Sequence, residues 1–436
     1  MMSTIELALI ATAVCFIFIF LRMPIAFAFG IIGFVGIWLL RGFDSALSIL
    51  GYLPYTTASM YTWSVIPLYA LLGYIAKNSR LGEEFFDGIS RWVGHFRGGL
   101  ASAVVLANAG FGAVSGDSLG ASATFTAMTL PEMRKKGYKD TLILGSIAGS
   151  TLLAQLIPPS FVFIIYGALT GASISKLFIA GLLPGIILII FYLITIYIWC
   201  KRSPEDGPRG PKTTWREKLG AGSGMWAILV IFMVIIIGLY LGIFTPTEAG
   251  AVAAFIVIVM GVTRKRLTWE GFKESLIGSG LLVGMVGFML IGTMIFNTLL
   301  GVTGAPLAIK NFLTSLPFSP SIMLLSIGIL FFILGMFVDG LAMFLLLIPI
   351  FYPVVEGMGV DLIHFGVVAN VSTLVGMITP PFGLVVFAIK GVAKDVPIFT
   401  IFRGAAPFII PNVLLMLLVI FIPEISLLLP NMMLGE

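Results

Sequence analysis

Two aspartates, Asp117 and Asp339, each interrupt a long apolar run beside a glycine, and a shift of 222 residues lays one on the other. A carboxylate inside an apolar stretch of membrane length is expensive to keep there and marks a functional site by default. The first sits in Ala113-Val114-Ser115-Gly116-Asp117-Ser118-Leu119-Gly120-Ala121-Ser122. Small residues there let two helices come close, and Gly116 permits a reversal of the chain. A turn at that depth leaves a helix N-terminus whose N–H groups attract an anion, and a preceding helix end whose carbonyls suit a cation such as Na⁺. The competing reading is a Gly/Ser-rich packing face. The second aspartate lies in Gly335-Met336-Phe337-Val338-Asp339-Gly340-Leu341-Ala342, a more apolar tip.

Two proline pairs add to this pattern, in Gln155-Leu156-Ile157-Pro158-Pro159-Ser160 and Met377-Ile378-Thr379-Pro380-Pro381-Phe382-Gly383. A Pro pair removes two backbone donors and frees carbonyls one turn upstream. In a membrane those carbonyls need a partner. A bound cation supplies one; a kink healed by neighbouring helices and water is the alternative. Asn370, Ser372, Thr373, Ser150 and Thr151 could add side-chain oxygens. Paired intramembrane carboxylates could also form an aspartyl protease dyad, but that leaves the symmetric Pro pairs without a role. No G-x-x-x-x-G-K-[ST] loop is present, so the energy source is expected to be an ion gradient rather than ATP.

The elements that position these residues must be membrane spans. The chain has 436 residues, 59% hydrophobic and 10% charged, whereas soluble domains run near about 25% charged. Apolar runs predict ten spans, at 4–22, 24–40, 58–78, 139–170, 177–200, 224–243, 246–262, 277–300, 361–389 and 399–423. The stretches 98–130 and 320–353 read as re-entrant helical hairpins, and 80–97 and 303–317 as helices lying along the interface, with an ordinary amphipathic connector as the equal alternative for the first of these. Ile5–Leu21 reads as a retained helix rather than a signal peptide. With an outside N-terminus, all but Arg41, Lys176 and Lys310 of the 25 Lys and Arg residues fall on the cytoplasmic side. That asymmetry follows the positive-inside rule and argues against a nucleic-acid partner. Cys15 and Cys200, His95 and His364 are too few and too scattered for a disulfide framework or metal cluster.

The halves repeat. The same shift superposes Pro24 on Pro246, Pro131 on Pro353 and Pro158-Pro159 on Pro380-Pro381. Residues 1–200 form the first repeat (hairpin 98–130, broken helix 139–170), 201–219 a cytoplasmic linker, and 220–436 the second repeat (hairpin 320–353, broken helix 361–389). Five spans per repeat is an odd number, so the second must lie upside down relative to the first, an arrangement typical of secondary transporters. Both termini are expected to be periplasmic.

Val114-Ser115-Gly116-Asp117-Ser118, Ile157-Pro158-Pro159-Ser160 with Tyr166-Gly167, Phe244-Thr245-Pro246-Thr247-Glu248-Ala249, and Ile378-Thr379-Pro380-Pro381-Phe382-Gly383 resemble the large membrane subunit of tripartite ATP-independent periplasmic (TRAP) transporters. The likeness covers essentially the whole chain. It implies an all-α, elevator-type secondary transporter that is not an enzyme, takes up a small organic acid with sodium, and lies in the bacterial inner membrane. A C4-dicarboxylate or sialic acid would suit such a site. The resemblance also implies two partners, a small four-helix membrane subunit and a periplasmic substrate-binding protein; the small subunit, fused at the N-terminus in some members, is expected on a separate chain here. Carried over by position, Ser115, Gly116, Asp117, Ser118, Pro159, Ser160 and Pro381 would contact substrate. Na⁺ would be held at Ser115, Asp117, Ile157, Gly335, Val338, Asp339, Ser372, Thr373, Gly376, Thr379 and Pro380, with no other cofactor. Many family members carry Ser where this chain has Asp117, which leaves proton coupling as an alternative to sodium. A stand-alone sodium/dicarboxylate symporter is the nearest rival; a channel or an intramembrane enzyme is more distant.

Overall fold

The computed structural model describes residues 4–433 apart from 22, 212, 215–217 and 219–221. Arg22, the last part of the 201–219 linker and both chain ends lie outside the described residues. Among the described residues every regular element is helical. The first half contains α1 (Thr4–Phe20), α2 (Ile25–Arg41), α3 (Phe43–Ala58), α4 (Val65–Asn78), α5 (Leu81–Val93), α6 (Gly99–Ser115), α7 (Ser118–Lys135), α8 (Asp140–Ser150), α9 (Leu153–Leu156), α10 (Phe161–Thr170) and α11 (Ile174–Arg202). The second contains α12 (Gly222–Tyr240), α13 (Pro246–Thr263), α14 (Trp269–Thr303), α15 (Ala305–Ser315), α16 (Pro320–Gly335), α17 (Gly340–Gly357), α18 (Leu362–Ile378), α19 (Leu384–Val392), α20 (Ile398–Phe421) and the short α21 (Glu424–Leu427). Six helices among the described residues are long and apolar enough to cross a membrane, and six shorter ones are mainly apolar.

Several helices of the two halves have corresponding bounds under the same shift. Adding 222 to α7 gives 340–357, the bounds of α17; α6 falls on α16, α5 on α15 and α10 on α19. Packing between the halves comes in reciprocal pairs: α2 against α14 and α13 against α4, α10 against α17 and α19 against α7, α8 against α20 and α18 against α11, α5 against α12 and α15 against α1. Such paired contacts describe an approximate two-fold relation between the halves, which the packing of α6 on α12 breaks because α1 and α16 do not pack in the same way. Buried polar contacts tie the halves together. Tyr166 Oη donates to Leu362 O at 2.5 Å, and Tyr192 Oη donates to Asn412 Oδ1 at 3.0 Å.

One element departs from the sequence reading. Residues 43–58, not read as a span, form α3, whose Phe43, Leu47, Leu50 and Tyr55 are exposed. Its counterpart in the second half is continuous with the next span, so the expected 277–300 segment becomes the 35-residue α14. Ser59, Met60 and the turn at Tyr61–Ser64 separate α3 from α4 in the first half. The hairpins run to Lys135 and Gly357, a little past the expected ends. Of the two interfacial segments, α5 buries Phe85, Phe86 and Ile89, while α15 buries only Ala305.

Candidate functional site

Both hairpins turn at an aspartate that caps its own second helix. α6 ends at Ser115, and Gly116 reverses the chain with φ of 65°. A Cβ on Gly116 would come within 2.8 Å of Pro159 O, so both the backbone angle and the space require glycine. The Asp117 carboxylate then accepts from Leu119 N at 3.1 Å and Gly120 N at 2.7 Å. Asp339 accepts from Leu341 N at 3.1 Å in the same way. These are N-caps, each worth about 0.5–2 kcal/mol to its helix. The N–H groups expected to attract an external anion are thus partly satisfied by the chain itself.

The first helix break lies between the two tips. Pro159 has no N–H, so the carbonyl of Gln155 loses its helical donor. It accepts instead from Ser160 Oγ at 2.5 Å and from Asn370 Nδ2 at 2.8 Å, across the repeat boundary. Pro159 borders the first tip at Gly116, while the Gln155 side-chain amide reaches the second, 3.0 Å from where a Cβ of Gly340 would stand. Residues 155–159 therefore bridge the tips. The second break is anchored differently. Thr379 Oγ1 donates to Val375 O at 2.6 Å, and Thr379 N to Gly376 O at 3.0 Å. Gly383 N donates to Met336 O at 3.2 Å, which ties the break to the second tip. Gly335, Thr373 and Gly376 meet backbone to backbone. The Pro158-Pro159 and Pro380-Pro381 bonds are both cis.

Several oxygens in this region are buried without a hydrogen-bond partner among the described residues: Ser115 Oγ, Ser118 Oγ, Gln155 Oε1, Asn370 Oδ1 and Ser372 Oγ. Orphaned buried polar groups are rare and call for an explanation. Hard, mostly neutral oxygens beside two carboxylates fit a hard monovalent cation. The candidates are not one cluster, however. Ser372 Oγ faces Gly328, seven residues below the Gly335 end of α16 and so roughly 10 Å from the tip. Thr373 Oγ1 is engaged by Ala369 O, and Ser150 Oγ by Ser146 O.

A cavity of about 110 Å³ lies between α4, α14 and the first hairpin, lined by Tyr74, Lys77, Ser115, Asp117, Thr124 and Phe161. It has room for several waters or a compact solute. Lys77 was missed as a site residue because in sequence it reads only as a charge at the end of a span. Asn108 was missed too, although an Asn within Ala107-Asn108-Ala109 is a legible signal; its Nδ2 donates to Ser150 Oγ at 2.8 Å and its Oδ1 is orphaned. The two breaks also differ in exposure. Ser160 is fully buried, whereas its repeat mate Phe382 is 47% exposed.

The family model "Tripartite ATP-independent periplasmic transporter, DctM component" matches residues 12–425. The C4-dicarboxylate TRAP transporter large permease protein of Pseudomonas aeruginosa is 34% identical over 402 residues, covering 89% of this chain and 93% of its own. The sialic acid TRAP transporter large permease protein of Vibrio cholerae is 31% identical, covering 86% and 87%. The 2,3-diketo-L-gulonate large permease protein of Escherichia coli is 33% identical, covering 93% and 95%. In fold, the chain is similar to the YdaH transporter of Alcanivorax borkumensis, with a TM-score of 0.62 over 89% of this chain and 88% of that one, at 13% identity. The apolar helices make it a multi-pass membrane protein, and the relatives make it a transport protein rather than an enzyme. With two mirrored hairpins, two Pro-broken helices and a family match over nearly its whole length, this chain belongs to the large membrane subunits of the TRAP transporters.

Proposed function

We propose that this chain is the sodium-coupled carrier that moves a small organic acid across the bacterial inner membrane by an elevator movement. The observation that carries the reading is the first break, which touches one hairpin tip through Pro159 and the other through Gln155 with orphaned oxygens around it. A cotransported Na⁺ would complete the oxygens of Ser115, Ser118, Gln155 and Asn370. The relatives' named solutes include a C4-dicarboxylate, sialic acid and 2,3-diketo-L-gulonate, which share a carboxylate. Because Asp117 already occupies the α7 N-terminus, Lys77 is the cation in the cavity that would attract the substrate's carboxylate. Inverted placement of the repeats in the bilayer, with both termini periplasmic, follows from the odd span count and the charge asymmetry. A small four-helix membrane subunit and a periplasmic binding protein would complete the transporter. No nucleic acid or ATP enters this scheme.

The test is uptake in proteoliposomes containing this chain and its small subunit, with the binding protein outside. Uptake should require an inward Na⁺ gradient. Sodium-independent, proton-driven uptake removes the ion assignment, and full uptake without any binding protein favours the stand-alone symporter.

A further inference from the structure

We propose that the groove between α6 and α11 holds an anionic phospholipid of the leaflet at the basic end of the bundle. The groove encloses about 460 Å³ and is lined by Arg97, Lys201 and Arg209 at one end and by Phe96, Leu106 and Leu193 along its wall. None of the three cations forms an ion pair among the described residues, whereas nearby Arg134 and Lys139 are both paired. Three uncompensated cations at the mouth of an apolar groove between membrane helices form a headgroup site with an acyl slot below it.

One further observation points to a lipid rather than a soluble anion, and another shows that a charge is fixed in place. The wall runs onto the outward face of α11, where Tyr197, itself in the lining, is 65% exposed and Ile190, one turn beyond Leu193, is 49% exposed. A free phosphate would leave that wall uncovered, while an acyl chain extends along it. Arg209 is also held in place, because the segment before α12 is strapped to the hairpin base. Gly98 N donates to Gly207 O at 3.0 Å, Gly210 N to Gly94 O at 3.0 Å, and Tyr138 Oη to Pro208 O at 2.9 Å. The chain thus fixes one of the three charges in advance on a segment that would otherwise be free to hydrate.

The experiment is native mass spectrometry of the protein reconstituted in nanodiscs of phosphatidylcholine with or without phosphatidylglycerol, then released into mild detergent. Wild type should retain phosphatidylglycerol, and the R97Q/K201Q/R209Q variant should retain at least five-fold less, with unchanged helix content and gel-filtration profile. Should that variant fail to fold, Leu193→Trp fills the acyl slot while keeping every charge, and the same loss is expected. Retention unchanged in the folded variant, equal retention of phosphatidylcholine by wild type, or displacement of the lipid by inorganic phosphate overturns the proposal.

Discussion

Removing the Asp339 carboxylate does two things at once, since it uncaps α17 and takes a negative charge out of the second tip. Substitution separates them. Asn is as good an N-cap as Asp, while Ala is far worse. Asp339→Ala should lower stability by about 0.5–2 kcal/mol, read as a fall in thermal midpoint. Asp339→Asn should leave that midpoint in place and still abolish sodium-driven uptake, if the charge helps hold the ion. Wild-type uptake by Asp339→Asn would reduce the residue to a cap. The aspartate pair was legible in the sequence because an intramembrane carboxylate is conspicuous and the repeat doubles it. Its capping geometry was not, because it depends on the extended backbone of Asp117 and Asp339. The neighbours of Gln155 were hidden for a related reason. Its carbonyl could be predicted to lose a donor, but the replacement, Asn370, stands 215 residues away. Lys77 was hidden by the opposite problem, because its role in the charge asymmetry already accounted for it.

The linker shows how composition can identify an element and misjudge its state. Its Pro, Gly and charges read as a divider between repeats, yet its described part lies bound across the base of the first hairpin. Asp206 anchors it: Oδ1 pairs with Lys139 Nζ at 2.7 Å, Oδ2 accepts from Trp199 Nε1 at 2.8 Å, and its carbonyl accepts from Lys139 N at 3.1 Å. Partial burial acts to raise the Asp206 pKa, but the Lys139 and Trp199 hydrogen bonds and the Lys139 charge outweigh it and hold the carboxyl below its ordinary value. A depressed folded pKa contributes stability that is fully present above the unfolded value, about 4, and lost as pH falls through the folded one. Amide exchange at Gly98 and Lys139, taken relative to its pH-dependent intrinsic rate, should therefore be slow at neutral pH and accelerate only in acid. Asp206→Ala should accelerate it roughly ten-fold at neutral pH, the scale of one charge-assisted hydrogen bond. Exchange unchanged in that variant would show that the backbone contacts alone hold the strap. By contrast, the hairpins and breaks could be placed from sequence to within a few residues, because glycine, proline and aspartate act locally. α3 could not, since its apolar face has no sharp start and its second-half counterpart is fused into α14.

At the scale of the molecule, the two halves share one pattern but not one environment. The first break is buried between the tips, with Ser160 fully enclosed; the second leaves its Pro380, Pro381 and Phe382 exposed. The small cavity lies beside the first hairpin and is lined in part by Lys77. Under the proposed elevator movement, two-fold related segments in unequal surroundings would be one member of a pair of states, and exchanging the roles of the repeats would generate the other. On the elevator reading, this is the state open to the cytoplasm. Its opposite would bury the second break and expose the first. Single cysteines in a Cys15→Ala/Cys200→Ala background test this with a membrane-impermeant thiol reagent. Phe382→Cys should react from the cytoplasmic side in this state, and Ser160→Cys should be inert. When sodium, substrate and binding protein drive the carrier outward, labelling at Phe382→Cys should fall at least several-fold. Ser160→Cys should then become reactive from the periplasmic side. Reactivity at both positions that ignores these conditions would mean the inequality of the breaks is a fixed feature of the fold, and alternating exposure would have to be sought elsewhere in the chain.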